Sequence, residues 1–277
     1  MHPLIRLVRP LTSLMIALAV FVSAFVGVGS EIFLFSVPVM LAVMAAFFFG
    51  CGGNVINDYF DLESDRINHP ERPLPMGEAT KQRAIQLAVV LFLIAGAAAV
   101  VLGTISGFQV LLIVLVAFVL QMAYEKRFKR EKVVGNFIIG VQVALAFLFG
   151  GLVVKDTQAT GLLAGLAFVS IVGREIVKDI EDVKGDVGKN TLPRLIGATW
   201  AGAIASILLL LAVVGSTLPY AMGVFGVEYL YVIAVADLIF IASVPLVFTN
   251  PNLARRIIKI GMLVVLVAFV VGRIFAP

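Results

Sequence analysis

A single cysteine, Cys51, and two histidines, His2 and His69, are all that 277 residues offer toward thiolate or imidazole chemistry. An intramolecular disulfide is excluded, and no thiolate or histidine metal site can be assembled. Cys51 reads as a small packed residue after an apolar run, and His69 as a loop residue. Charge is equally scarce: 14% of residues are charged against 61% hydrophobic, with mean hydropathy +1.09, a balance far outside soluble globular composition. No window reads as a signal peptide with a cleavage site. The alternating apolar and polar residues of an outer-membrane barrel are missing, as are the lysine and hydroxyl of a P-loop and the strand-turn-helix setting of a dinucleotide site.

What is present is long uninterrupted apolar sequence. Runs near 10–29, 32–57, 84–103, 105–124, 133–154, 159–177, 198–217, 229–249 and 254–275 predict nine transmembrane helices in one all-α domain spanning 1–277, with no linker. All but Lys155 and Arg273 of the 21 Lys and Arg residues fall at the N-terminus or in the loops after spans two, four, six and eight. The positive-inside rule therefore places that side, the N-terminus included, in the cytoplasm of a multi-pass cell-membrane protein. The pI near 9.3 comes from charges spread over loops beside membrane spans, which points to anionic lipid or phosphate rather than nucleic acid.

Two acidic clusters interrupt this pattern. Asp58, Asp61 and Asp65 recur as Asp179, Asp182 and Asp186, 121 residues further on at every position. Steps of three and then four residues predict all three carboxylates on one helical face in each cluster. The constant offset, together with the order of helix pairs and polar loops, suggests two parallel repeats facing each other. One such cluster reads equally well as a solvated helix end. Two of matching spacing, each ending an apolar helix on one membrane side, predict a site at which divalent ions are shared. Oxygen-only ligands select magnesium, which shares its shell with substrate phosphate; the calcium loop of an EF-hand would need a glycine and a terminal glutamate that are absent.

Cationic side chains accompany the clusters. Arg66 and Arg72 follow the first, Arg174 and Lys178 precede the second, and Lys126, Arg127, Lys129 and Arg130 lie between. Such groups stabilise charge on departing phosphate oxygens, with Arg72, Lys129 and Lys178 the leading candidates. Arg127, Lys132, Arg255, Arg256 and Lys259 read as orientation charges. Gly50, Gly52 and Gly53, and the pair Gly161 and Gly165, are expected to let helices approach closely.

The stretches Asn57-Asp58-x-x-Asp61-x-x-x-Asp65 and Asp179-x-x-Asp182-x-x-x-Asp186 resemble the two signatures of the UbiA-type intramembrane prenyltransferases. Similar to that family as well are Arg66, Arg72-Pro73-Leu74-Pro75, Tyr124, Lys129-Arg130 and Gly135-Asn136. The resemblance spans nearly the whole chain. It implies a nine-helix bundle open laterally to lipid, a magnesium-bound prenyl diphosphate at the cytoplasmic end and an apolar tunnel for its tail. By position, Asn57, Asp61 and Asp65 are implied to hold one Mg2+, and Asp182 and Asp186 a second, with Asp58 and Asp179 completing the shells. Arg72, Lys129 and Lys178 are implied to grip the diphosphate, with Tyr124 beside the reacting carbon and Arg130, Arg66 and Arg174 also among the substrate-binding residues. Arg9 precedes Pro10, but the asparagine that the family often carries shortly afterwards is replaced by Leu11, Thr12 and Ser13, so Arg9 reads either as a phosphate ligand or as an orientation charge.

The stretch from Arg174 to Asp186, followed by Thr191-Leu192-Pro193, looks most like the archaeal ether-lipid branch. That likeness implies transfer of a geranylgeranyl group from its diphosphate to the glycerol hydroxyl of geranylgeranylglyceryl phosphate, with no obligate protein partner. An aromatic prenyltransferase of quinone biosynthesis is the alternative. A secondary transporter is a remote one, raised by the repeats and by the intramembrane Asp237.

Overall fold

The computed structural model describes residues 2–183, 186 and 188–276, and among these the chain is helical throughout, with no strand. A short α1 (Pro3–Val8) leads into α2 (Pro10–Val28), and a 3-10 stretch (Gly29–Phe35) joins α2 to the long α3 (Ser36–Asn68). There follow α4 (Lys81–Ser106), α5 (Phe108–Ala123), a π-helical turn (Tyr124–Phe128), α6 (Lys132–Val153) and α7 (Gln158–Glu181). The chain closes with α8 (Leu192–Ile196), α9 (Ala198–Gly215), α10 (Leu218–Ala221), α11 (Glu228–Thr249) and α12 (Pro251–Ile274). Among the described residues eight stretches are long and apolar enough to cross a membrane, and the first, Pro10–Ile67, carries both α2 and most of α3.

Local chemistry sets the helix starts. The Thr80 hydroxyl accepts the Arg83 amide at 3.2 Å ahead of α4. The Asn250 side chain accepts the Leu253 amide at 3.1 Å ahead of α12, whose first residue is Pro251. Each cap satisfies an amide that has no intrahelical partner. Arg9 closes α1 and opens α2 in the left-handed region, at φ 46°, a conformation non-glycine residues adopt at a cost.

The helices pack as a ring. α3 lies against α2 and α4, α6 against α2 and α7, α7 against α9 and α12, and α11 against α12 and α9, while α5 bridges α4 and α6. The interior is filled by residues such as Val22, Val26, Phe147, Leu163, Tyr229 and Phe269. The outer surface is also apolar: Leu93, Phe108, Leu115, Tyr231 and Leu238 are exposed, as expected of a surface solvated by lipid rather than water.

Close approach is built on glycine at a few crossings. A Cβ on Gly150 would lie 2.4 Å from the Val20 carbonyl oxygen, so the α2 and α6 backbones approach each other closely there. At Gly50 it would meet Ile16 at 2.9 Å, as expected of a packing glycine. Gly161 and Gly165 differ from expectation: nothing lies within 4 Å of a Cβ at either, because no neighbouring helix reaches that face of α7.

The two acidic clusters are set differently. At 33 residues, α3 is ~50 Å long against a hydrocarbon layer of ~30 Å, so its final turns extend past the apolar layer and carry Asp58, Asp61 and Asp65 on one helical face. The second cluster departs from the expected single face. α7 ends at Glu181, Asp182 is its C-cap residue, and Asp186 lies beyond the helix, its amide donating to the Asp182 carbonyl at 3.0 Å. Gly188 beyond it takes φ 77°, a left-handed conformation that a continuing α-helix does not use.

Candidate active site

Five of the six aspartates face cations of the chain itself. Asp58 pairs with Arg9 and, at 3.5 Å, with Arg72 Nη1. The same Arg72 nitrogen lies 2.6 Å from Asp65, so one guanidinium bridges two carboxylates about two helical turns apart. Asp61 Oδ2 lies 2.9 Å from Lys129 Nζ, which also meets Glu125 Oε2 at 2.6 Å. In the second cluster Asp179 accepts from Lys132 Nζ at 2.9 Å and from Asn136 Nδ2 at 2.8 Å. Asp186 pairs with Lys189 at 2.7 Å, and its other oxygen lies 3.6 Å from Lys132 Nζ. Asp182 makes no ion pair among the described residues. Burial pushes its carboxyl above the usual aspartate range, against the opposing pull of Lys178.

The π-helical turn shapes the approach to the first cluster. The Lys129 amide donates to the Tyr124 carbonyl at 2.8 Å, a bond five residues long, and such turns recur at functional positions. It buries Tyr124 and Glu125 and holds the Lys129 ammonium 5.9 Å from the centre of the Tyr124 ring. Gly135 gives the ring room, since a Cβ there would lie 3.0 Å from Tyr124 Cε2. Glu125 accepts further bonds from Asn57 Nδ2 at 3.0 Å and Gln121 Nε2 at 3.1 Å.

Between these elements lies a cavity of about 540 Å3. Its polar end is formed by Arg9, Asn57, Tyr124, Glu125, Glu175 and Lys178, with Arg174 beside them. On α7 the lining runs from Leu166 to Lys178, a depth of ~18 Å at 1.5 Å per residue. Away from the polar end the walls are mostly Ala, Val, Ile, Leu, Met and Phe, with Gln142, Ser170 and Lys259 among them and a polar group made by Ser216, Tyr229 and Asp237. There the Ser216 hydroxyl donates to Asp237 Oδ2 at 2.8 Å, and the Tyr229 hydroxyl donates to the Ser216 carbonyl at 2.6 Å. Asp237, unplaced by sequence alone, thus faces the cavity and is satisfied locally.

The donor set suits a hard divalent cation: it is oxygen-rich and free of thiolate and imidazole. Asp186 Oδ2 is buried without a hydrogen-bond partner, an acceptor with capacity to spare. The arrangement nevertheless differs from two triads closing on shared ions. Among the described residues no three acidic, histidine or cysteine side chains converge on one metal position, because Arg9, Arg72, Lys129, Lys132 and Lys189 reach the carboxylates first.

Other placements also differ from expectation. Arg66 and Arg130 are exposed and do not line the cavity, and Arg66 pairs with Glu63 at 2.9 Å. Lys132, read as an orientation charge, is buried between two aspartates. Lys259, read the same way, lines the cavity. Arg255 pairs with Glu181 at 2.5 Å. The buried Glu125 and Glu175 escaped the sequence reading because neither belongs to a repeated acidic spacing. The available signal was a lone glutamate beside an apolar span, which marks an intramembrane acid.

Residues 13–271 match the UbiA prenyltransferase family. The chain is similar to a digeranylgeranylglyceryl phosphate synthase of Methanosphaera stadtmanae, 34% identical over 279 residues that cover 98% of this chain and 99% of the relative. A solved structure of digeranylgeranylglyceryl phosphate synthase superposes with a TM-score of 0.80 at 34% identity, covering 98% of both chains. A UbiA homolog from Archaeoglobus fulgidus bound to GPP and Mg2+ has the same fold, with a TM-score of 0.70 at 19% identity over 97% of this chain and 99% of that one.

Proposed function

The chain belongs to the UbiA prenyltransferase family, and from that premise we propose that it transfers a geranylgeranyl group from geranylgeranyl diphosphate to the glycerol hydroxyl of geranylgeranylglyceryl phosphate, with Mg2+ as cofactor. The allylic carbon–oxygen bond breaks with its electron pair leaving on diphosphate. The glycerol oxygen then bonds to the allylic carbon and gives up its proton. The observation that carries this reading is the cavity of about 540 Å3, apolar along most of its length and lined at one end by Asn57, Tyr124, Arg174 and Lys178 beside the two aspartate-bearing helices. An isoprenoid tail suits the apolar length, and a diphosphate suits the charged end.

Asn57, Asp61 and Asp65 are the residues to hold one Mg2+, and Asp182 and Asp186 a second, with Asp58 and Asp179 completing the shells. Bound there, the metal supplies neutralising charge to the departing diphosphate. Arg9, Arg72, Lys129 and Lys178 bind diphosphate oxygens, Arg174 assists from the cavity wall, and the exposed Arg66 and Arg130 add to the basic field outside. Tyr124, buried against the Lys129 ammonium, presents its ring to the allylic carbon, and the apolar walls exclude the water that would otherwise capture the cation.

The reading extends to a single domain of nine membrane crossings in two pseudo-repeats. The N-terminus and charged helix ends lie on the cytoplasmic side, and no obligate protein partner takes part. These points rest on the apolar runs and on the distribution of Lys and Arg. Incubation of the purified protein with geranylgeranyl diphosphate and each acceptor tests the reaction. Ether product that needs Mg2+ and is lost in Asp61→Ala and Asp182→Ala is expected. Alkylated 4-hydroxybenzoate as the sole product would assign the chain to quinone biosynthesis instead.

A further inference from the structure

The cations of the site divide between two sides. Arg9, Arg72 and Lys129 stand on the side of α3, where each is paired with Asp58, Asp61 or Asp65, and of these Arg9 lines the cavity. The other wall presents Arg174 and Lys178 from α7 and Lys259 from α12. The carboxylate among them is Glu175, 2.5 Å from Arg174 Nη1 and 3.5 Å from Lys178 Nζ. Asp237 lines the cavity from α11, but its carboxylate takes the Ser216 hydroxyl. The wall therefore retains positive charge in excess of its carboxylates.

Lys259 is the least accounted for of the three. It lies eight residues past Pro251, ~12 Å along the helix, whereas Arg255, one turn earlier, is taken by Glu181. Lys259 is exposed yet lines the cavity, which places it where the cavity opens to the outside. It makes no ion pair among the described residues. A lysine within an apolar helix is costly and is by default a functional-site candidate, and its flexible stem lets the ammonium reach along the opening.

Resting on the transfer reaction above, the geometry points to Lys259 as the residue that binds the phosphate monoester of the acceptor lipid, while Lys178 remains with the diphosphate. The carboxylate-rich side suits a diphosphate carried with divalent cations but repels a bare monoester dianion. The α7–α12 wall offers ammonium groups with few carboxylates. A lipid acceptor entering laterally passes Lys259 before its hydroxyl reaches the polar end, so the phosphate contact holds that hydroxyl in place while the acceptor's own chain lies toward the membrane.

The test compares geranylgeranylglyceryl phosphate with geranylgeranylglycerol, which lacks the phosphate, at saturating geranylgeranyl diphosphate in nanodiscs of zwitterionic lipid, so that bulk headgroup charge contributes nothing. Lys259→Ala is expected to raise KM for the phosphorylated acceptor about tenfold to a hundredfold, the worth of one charge-assisted hydrogen bond, to leave the donor KM unchanged and to abolish most of the preference for the phosphorylated acceptor. Lys259→Arg restores that preference. An undiminished preference in Lys259→Ala overturns the inference. A wild-type protein that forms ether from neither acceptor overturns the transfer reaction itself.

Discussion

Replacing Lys132 by Met isolates the strongest electrostatic claim of the second cluster. The ammonium lies 2.9 Å from Asp179 and 3.6 Å from Asp186. Relative exposures are 6% for Lys132, 0% for Asp179 and 4% for Asp186, so water screens little of this interaction. Methionine keeps the length and volume of the stem and removes only the charge. Removing one partner of a buried ion pair costs ~3–5 kcal/mol, because the remaining charge is left uncompensated. Asn136 stays bonded to Asp179, which places the expected loss toward the lower end of that range. Thermal unfolding in nanodiscs, followed by intrinsic fluorescence, reads the change. The double variant Lys132→Met/Asp179→Asn removes the orphaned carboxylate together with its partner and is expected to be more stable than Lys132→Met alone, with ~0.5–3 kcal/mol of coupling. A Lys132→Met protein that melts like wild type would return Lys132 to the role of an orientation charge and refute the electrostatic account.

Three further outcomes follow from packing and charge. Gly150→Ala places a methyl group against the Val20 carbonyl and is expected to cost ~1–3 kcal/mol, whereas Gly165→Ala, with open space at its Cβ, is expected to gain ~0.5–1 kcal/mol; paired melting curves compare them. Arg9→Gly relieves the left-handed backbone at φ 46° but deletes the partner of Asp58, so stability is expected to change little while donor KM rises about tenfold or more, measured by steady-state kinetics. Asp237→Asn keeps an acceptor for the Ser216 hydroxyl and sits apart from the aspartate clusters, so Mg2+-dependent ether formation is expected to persist; its loss would implicate Asp237 in turnover.

Much of the architecture is legible from the chain because hydropathy acts over about twenty residues at a time, and every apolar run falls on a long helix. Asp58, Asp61 and Asp65 were legible in the same way, since a helix converts their spacing directly into one face. The second triad was only half legible: its spacing matches, but α7 stops at Glu181, and spacing has no angular meaning once the helix ends. Glu125 and Glu175 carried no repeated pattern and became visible only as buried walls of the cavity.

The sequence by itself determined the membrane setting, the helices and the two concentrations of carboxylate, because each follows from the free energy of placing a short stretch in lipid or water. Tertiary structure alone decided which cation meets which carboxylate. Lys132 and Lys259 look alike along the chain, two basic residues on apolar helices. One is buried between Asp179 and Asp186 and the other stands at the opening of the cavity, because the surroundings of a long side chain are set by helices distant in sequence that pack beside it.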